Sequence, residues 1–126
     1  MDPRIAAAAK DVRRECAEDY VGLWWLPGTV LHHLPTASEA DRKSFSLQMV
    51  EQLLADPNVV VGQFHEMEFQ PWTSTAKEAY DRISKEWDAL GKEPGLGEIC
   101  WFIERPPSNQ TLQPTPSRLV SSLLHD

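Results

Sequence analysis

The run from Ser74 to Glu104 constrains this chain most, because it writes out a helix with both ends, a connector and an apolar strand. Ala76, Ala79, Tyr80, Ile83, Trp87 and Leu90 recur at three- and four-residue steps, so they share one helix face that must be buried. On the other face Glu78 with Arg82 and Asp81 with Lys85 stand four apart in acid-first order, which predicts ion pairs of about 0.3 kcal/mol each. Ser74 or Thr75 caps the start, Thr75 forming a capping box with Glu78, and Gly91 supplies the left-handed stop. A Gly-Pro-rich connector over 90–97 then leads into Ile99-Cys100-Trp101-Phe102-Ile103, which predicts a strand over about 98–104. Trp101, like Trp87, falls on a core-facing pattern.

Upstream, Ile5, Ala9, Val12, Cys16, Tyr20 and Leu23 keep helical spacing, with Asp2 as cap and Pro3 at a tolerated first position. The register continues through Trp24 and predicts a first helix that kinks or stops near Leu26, where Pro27-Gly28 removes a donor. Thr29 to Leu34 reads as a short second helix. Thr36 and Glu39 form a capping box for a helix over 37–55, whose apolar stripe is Leu47, Val50 and Leu54, widened by Phe45, Met49 and Leu53. Val59 to Phe64 and Met67 to Gln70 predict a hairpin over about 58–70, turning near His65-Glu66 without the usual Asn-Gly or Asp-Gly. The strand near 98–104 has one place to pair, which is that hairpin. The fold class is α+β, with three or four helices and a small antiparallel sheet, and the order helix, helix, hairpin is winged-helix-like.

At 126 residues and 41% apolar the chain suits one core, placed over 1–105. From Pro106 the composition shifts: four of the ten prolines, no glycine, and many Ser, Thr and Gln predict a flexible tail over 106–126. That segment contributes one Arg and one Asp, which cancel, so the net charge of −7 falls on residues 1–105. Acidity of this degree disfavours nucleic acid and anionic membrane surfaces. Cys16 lies in a helical pattern and Cys100 in an apolar strand, where free thiols act as small hydrophobes. Ile5 to Ala9 is too short for a secretory signal and Lys10, Asp11, Arg13 and Arg14 follow at once, so the cytoplasm is the expected compartment.

Asp19-Tyr20-Val21-Gly22-Leu23-Trp24, Pro71-Trp72, Trp87-Asp88-Ala89-Leu90-Gly91, Pro94 and Gly97-Glu98-Ile99 resemble a group of small uncharacterised bacterial proteins, over about 19–103. The resemblance implies a fold with a winged-helix-like core and carries no activity with it. Thr111 to Leu123 resembles tails appended to unrelated bacterial proteins.

No motif specifies a reaction. His32-His33 are adjacent and cannot chelate together from a helix or a strand, so both are expected at the surface. His65, Glu66 and Glu68 read as a solvated hairpin tip. Gly91, Gly95 and Gly97 precede a strand, beside Glu93 and Glu98, and make a structural turn rather than a phosphate cradle. No catalytic set, cofactor or metal site is assigned. Of the adjacent Trp24 and Trp25, one points inward and one out; the surface candidates are Trp25 and Trp72, with the acidic Glu66 and Glu68. The favoured function is an acidic, non-enzymatic protein interaction module for a basic partner, with an immunity protein against a nuclease as one version. The alternative is a winged-helix nucleic-acid binder with Arg42 and Lys43 at the groove, against Glu39, Asp41, Glu51 and Asp56.

Overall fold

The computed structural model describes residues 2–105, so the tail expected over 106–126 lies outside the described residues. The elements are α1 (Pro3–Glu18), β1 (Val21–Gly22), α2 (Trp25–His33), α3 (Glu39–Ala55), β2 (Val59–His65), β3 (Glu68–Pro71), α4 (Ala76–Leu90) and β4 (Trp101–Glu104). The fold is α+β: four helices and one antiparallel sheet in the order β1-β4-β2-β3. β4 pairs with the hairpin, as expected, but the hairpin is not its one place to pair: it also pairs with β1, which the sequence did not announce.

The first helix is shorter than its apolar spacing predicts. It ends at Glu18; Asp19 is extended, its N–H donates to the Glu15 carbonyl, and its carboxylate accepts from the Tyr20 N–H. Val21 and Gly22 then pair with Phe102 and Trp101. Val21 and Leu23 are still buried, because β1 faces the same core as α1, and that is why the helical period ran on through them. Pro27 breaks nothing: it is the third residue of α2, where the backbone N–H has no intrahelical partner to lose.

The other helix starts follow cap chemistry. Asp2 accepts from the Arg4 N–H, and Thr75 with Glu78 closes the predicted capping box before Gly91 ends α4 at φ 70°. α3 is capped by Ser38 with Asp41, not Thr36 with Glu39, and its inward line is Ser46, Met49, Val50 and Leu53. The predicted pairs on α4 are exchanged for Lys77 with Asp81 and Arg82 with Glu86, since Glu78 serves the cap. β4 is shorter than 98–104: Ile99 sits at φ 72°, a left-handed conformation costly for a β-branched residue, and the Gln63 amide holds its carbonyl at 2.9 Å.

Alternation along the strands gives the sheet two unlike faces. Val61 and Phe102, paired in register, point toward the helices. They join Ile5, Val12 and Cys16 of α1, Leu26 and Val30 of α2, Met49, Val50 and Leu53 of α3, and Ile83 and Trp87 of α4 in one buried cluster. Arg13 locks the far side by bridging Asp56 at the end of α3 to Glu104 of β4. No helix among the described residues is long and apolar enough to cross a membrane.

Candidate interaction surface

The second face of the sheet carries the residues that alternate with the core: Val60, Gly62 and Phe64 on β2, Trp101 and Ile103 on β4, Phe69 and Pro71 on β3, and Gly22 on β1. Register aligns Gly22, Trp101, Gly62 and Pro71 in one row across all four strands. Glycine on both sides of Trp101 leaves room for neighbouring rings to approach the strands closely. A Cβ on Gly62 would stand 2.3 Å from the Gln70 carbonyl oxygen and 2.8 Å from the Phe69 ring, and one on Gly22 would fall 1.4 Å from the Trp24 indole.

The rings form a continuous run. Trp24 meets Trp101 edge-on at 4.9 Å between centroids, Trp101 meets Phe64 at 5.2 Å, and Tyr20 packs on Phe64 at 4.8 Å and Phe69 at 5.0 Å. Edge-to-face pairs of this kind contribute about 0.5–1.5 kcal/mol each beyond area burial. All five rings are half-buried: they shield one another, and the helices pack on the opposite face. Trp101 is therefore not core-facing, contrary to its pattern.

The run ends on one side at the hairpin tip. The turn is Glu66-Met67, one residue later than expected, with φ 52° and 70°, the geometry of a two-residue type I′ turn. Neither residue suits that conformation, and Met67 is 63% exposed. His65, Glu66 and Glu68 are all solvated, as the sequence suggested.

On the other side Trp24 leads into a groove between α1 and α2. It is lined by Asp11, Arg14 and Glu15 on α1, by Trp25, Gly28, Thr29 and His32 on α2, and by Trp24 just before α2, with a volume of about 730 Å³. Both sets follow three- and four-residue spacing, so one stripe of each helix faces the other. Trp25 is 37% exposed, and a Cβ on Gly28 would meet nothing within 4 Å. Asp11 accepts from His33 Nε2 at 2.7 Å, which holds its carboxyl below the usual range. His33 is thus half-buried and hydrogen-bonded to Asp11 rather than free at the surface; His32 is exposed, its ring edge-on to His33. Trp24 and Trp25 do not divide into core and surface, since Trp24 lies over Gly22 and neither is fully buried.

The other candidates fall elsewhere. Trp72 lies on the helix side of the sheet, its backbone N–H donating to the Val61 carbonyl, its ring packed against the core beneath the Arg82 guanidinium at 3.9 Å. The structure therefore does not bring it together with Trp25. Arg42 donates to Glu93 at 2.6 Å and to the Ala37 carbonyl, and Lys43 pairs with Asp88, so both are engaged with protein groups. Both cysteines are free and buried; burial pushes the Cys16 thiol up to about 12 and the Cys100 thiol higher still, so neither is poised as a nucleophile. Among the described residues no group of three or more His, Cys, Asp or Glu could hold a metal.

Sequence reasoning missed Tyr20, Trp24, Phe64, Phe69 and Trp101 as one surface. Only the register, which sets Gly22 and Gly62 on either side of Trp101, makes it visible. Comparison with protein families, curated proteins and solved structures returns no match, so function is read from geometry alone.

Proposed function

We propose that this protein is a non-enzymatic interaction module that docks a basic protein partner on the open face of its sheet. The observation that carries the reading is the five-ring run from Trp24 to Phe69, laid over Gly22 and Gly62 and left uncovered by the helices. Rigid half-buried aromatics are the anchors interfaces concentrate, because they present large apolar area with little rotamer entropy to lose. Carboxylates stand at both ends: Glu15 near the groove, and Glu66 and Glu68 at the tip. With a net charge of −7 they favour encounter with a cationic surface. Strand addition at the edge is the poorer route, because β3 ends in Pro71, which has no N–H, and carries Glu68.

The experiment is affinity capture by the full chain from its source cells, with mass spectrometry, in wild type, Phe69→Ser and Leu96→Ser. Leu96 is 77% exposed and lies in the connector between α4 and β4, outside the strands that form the aromatic face. A protein retained by wild type and Leu96→Ser but lost from Phe69→Ser supports the reading; retention unchanged by Phe69→Ser, or no protein retained at all, refutes it. Micromolar binding of random duplex DNA at about 150 mM salt, abolished by Arg42→Ala with Lys43→Ala, would put nucleic acid in the partner's place.

A further inference from the structure

The groove between α1 and α2 is chemically unlike the sheet face it adjoins. It combines two indoles, the carboxylates of Asp11 and Glu15, and free space beside Gly28. Its one cation, Arg14, is already paired with Asp11 at 3.3 Å, and Asp11 is shared with His33. Glu15 makes no ion pair or side-chain hydrogen bond among the described residues and is exposed. An exposed carboxylate in a groove lined by indoles suits a cation that is weakly hydrated, planar and forked, which describes guanidinium better than ammonium.

The molecule already contains that arrangement elsewhere. Arg82 lies 3.9 Å over the Trp72 ring while its Nε donates to the Glu86 carboxylate at 2.7 Å. Trp24, Trp25 and Glu15 line one groove with the same two kinds of group, and among the described residues no guanidinium is paired with the Glu15 carboxylate. A volume of about 730 Å³ exceeds one side chain and leaves room for the backbone that carries it.

We infer that the α1–α2 groove receives an arginine side chain of the partner, its guanidinium stacked on the Trp24–Trp25 wall and donating to the Glu15 carboxylate. The inference rests on the interaction-module reading and adds to it the partner's residue type and its place of entry. The aromatic sheet face then takes the apolar residues that flank this arginine.

The test uses the full chain labelled with nitrogen-15 and three small probes: acetyl-arginine methylamide, its neutral isostere acetyl-citrulline methylamide, and acetyl-lysine methylamide. The tryptophan indole N–H resonances, assigned by single Trp→Phe variants, are followed during titration. The arginine probe is expected to shift Trp24 and Trp25 saturably with a Kd in the millimolar range, about 4 kcal/mol of binding free energy. Citrulline is expected to leave them in place. Glu15→Gln, at an exposed position, should weaken the arginine probe about tenfold, as for loss of a hydrogen bond to a charged group, while Glu51→Gln, at an exposed position on α3 outside the groove, leaves it unchanged. Equal response to citrulline or to acetyl-lysine methylamide, no saturable shift, or indifference to Glu15→Gln would overturn the inference. Those outcomes are separate from partner capture, because a partner lost with Phe69→Ser and retained by Glu15→Gln keeps the sheet-face reading and removes the arginine pocket.

Discussion

Replacing Gly22 with Ala tests whether the aromatic face is built as described. Gly22 is not among the residues with positive φ, so the added methyl carries no backbone penalty of its own. Its Cβ would stand 1.4, 1.9 and 2.6 Å from three carbons of the Trp24 six-membered ring, so the indole must leave its seat. Displacement breaks the 4.9 Å edge contact with Trp101, worth about 0.5–1.5 kcal/mol, and re-exposes part of the ring. With the repacking expected of an overfilled site the total is about 2–3 kcal/mol. For a domain near 100 residues that lowers Tm by roughly 8 °C or more. Urea unfolding followed by circular dichroism measures it, and a double-mutant cycle isolates the cause. In a Trp24→Ala background the same methyl enters vacated space, so Gly22→Ala should change stability by less than about 0.5 kcal/mol. Wild-type stability for the single variant, or equal destabilisation in both backgrounds, would show that Trp24 does not rest on Gly22.

Three further outcomes follow from other parts of the fold. Changing the strained tip to the turn's preferred residues, Glu66→Asn with Met67→Gly, should raise stability by about 1–2 kcal/mol by relieving two left-handed non-glycine residues, and an unchanged urea midpoint would mean the turn is not type I′ in solution. Trp87→Ala empties a site only 3% exposed at the α3–α4 contact and should cost about 3–5 kcal/mol, so a cooperatively folded variant of near-native stability would place Trp87 outside the core. Asp56, held below the usual carboxyl range first by Arg13 and then by the Asn58 N–H, and Asp11, held there by His33, have folded values lower than unfolded ones. Their contribution is therefore complete above about pH 4 and lost as pH falls through the depressed folded values, so urea midpoints should decline in acid, and Asp56→Asn should flatten that limb.

Much of the scaffold was legible because local chemistry decides it. The cap at Asp2, the Thr75–Glu78 box, the stop at Gly91 and the buried line through Ala79, Ile83 and Trp87 each depend on residues within a turn or two of one another, so their pattern survives without knowledge of the rest. The hairpin and the buried free thiols belong to the same class. What tertiary structure decided was everything that depends on a partner strand. Tyr20 to Leu23 kept helical spacing yet became strand and turn, because β4 offered Val21 and Gly22 a ladder. The surface was hidden for the same reason. Alternation shows that Phe64 and Phe69, or Trp101 and Ile103, lie on one face of their own strands, but not which face the helices cover. That assignment came only when Phe102 and Val61 met across the β2–β4 pair and turned inward, which left Trp101 between two glycines on the side that faces out.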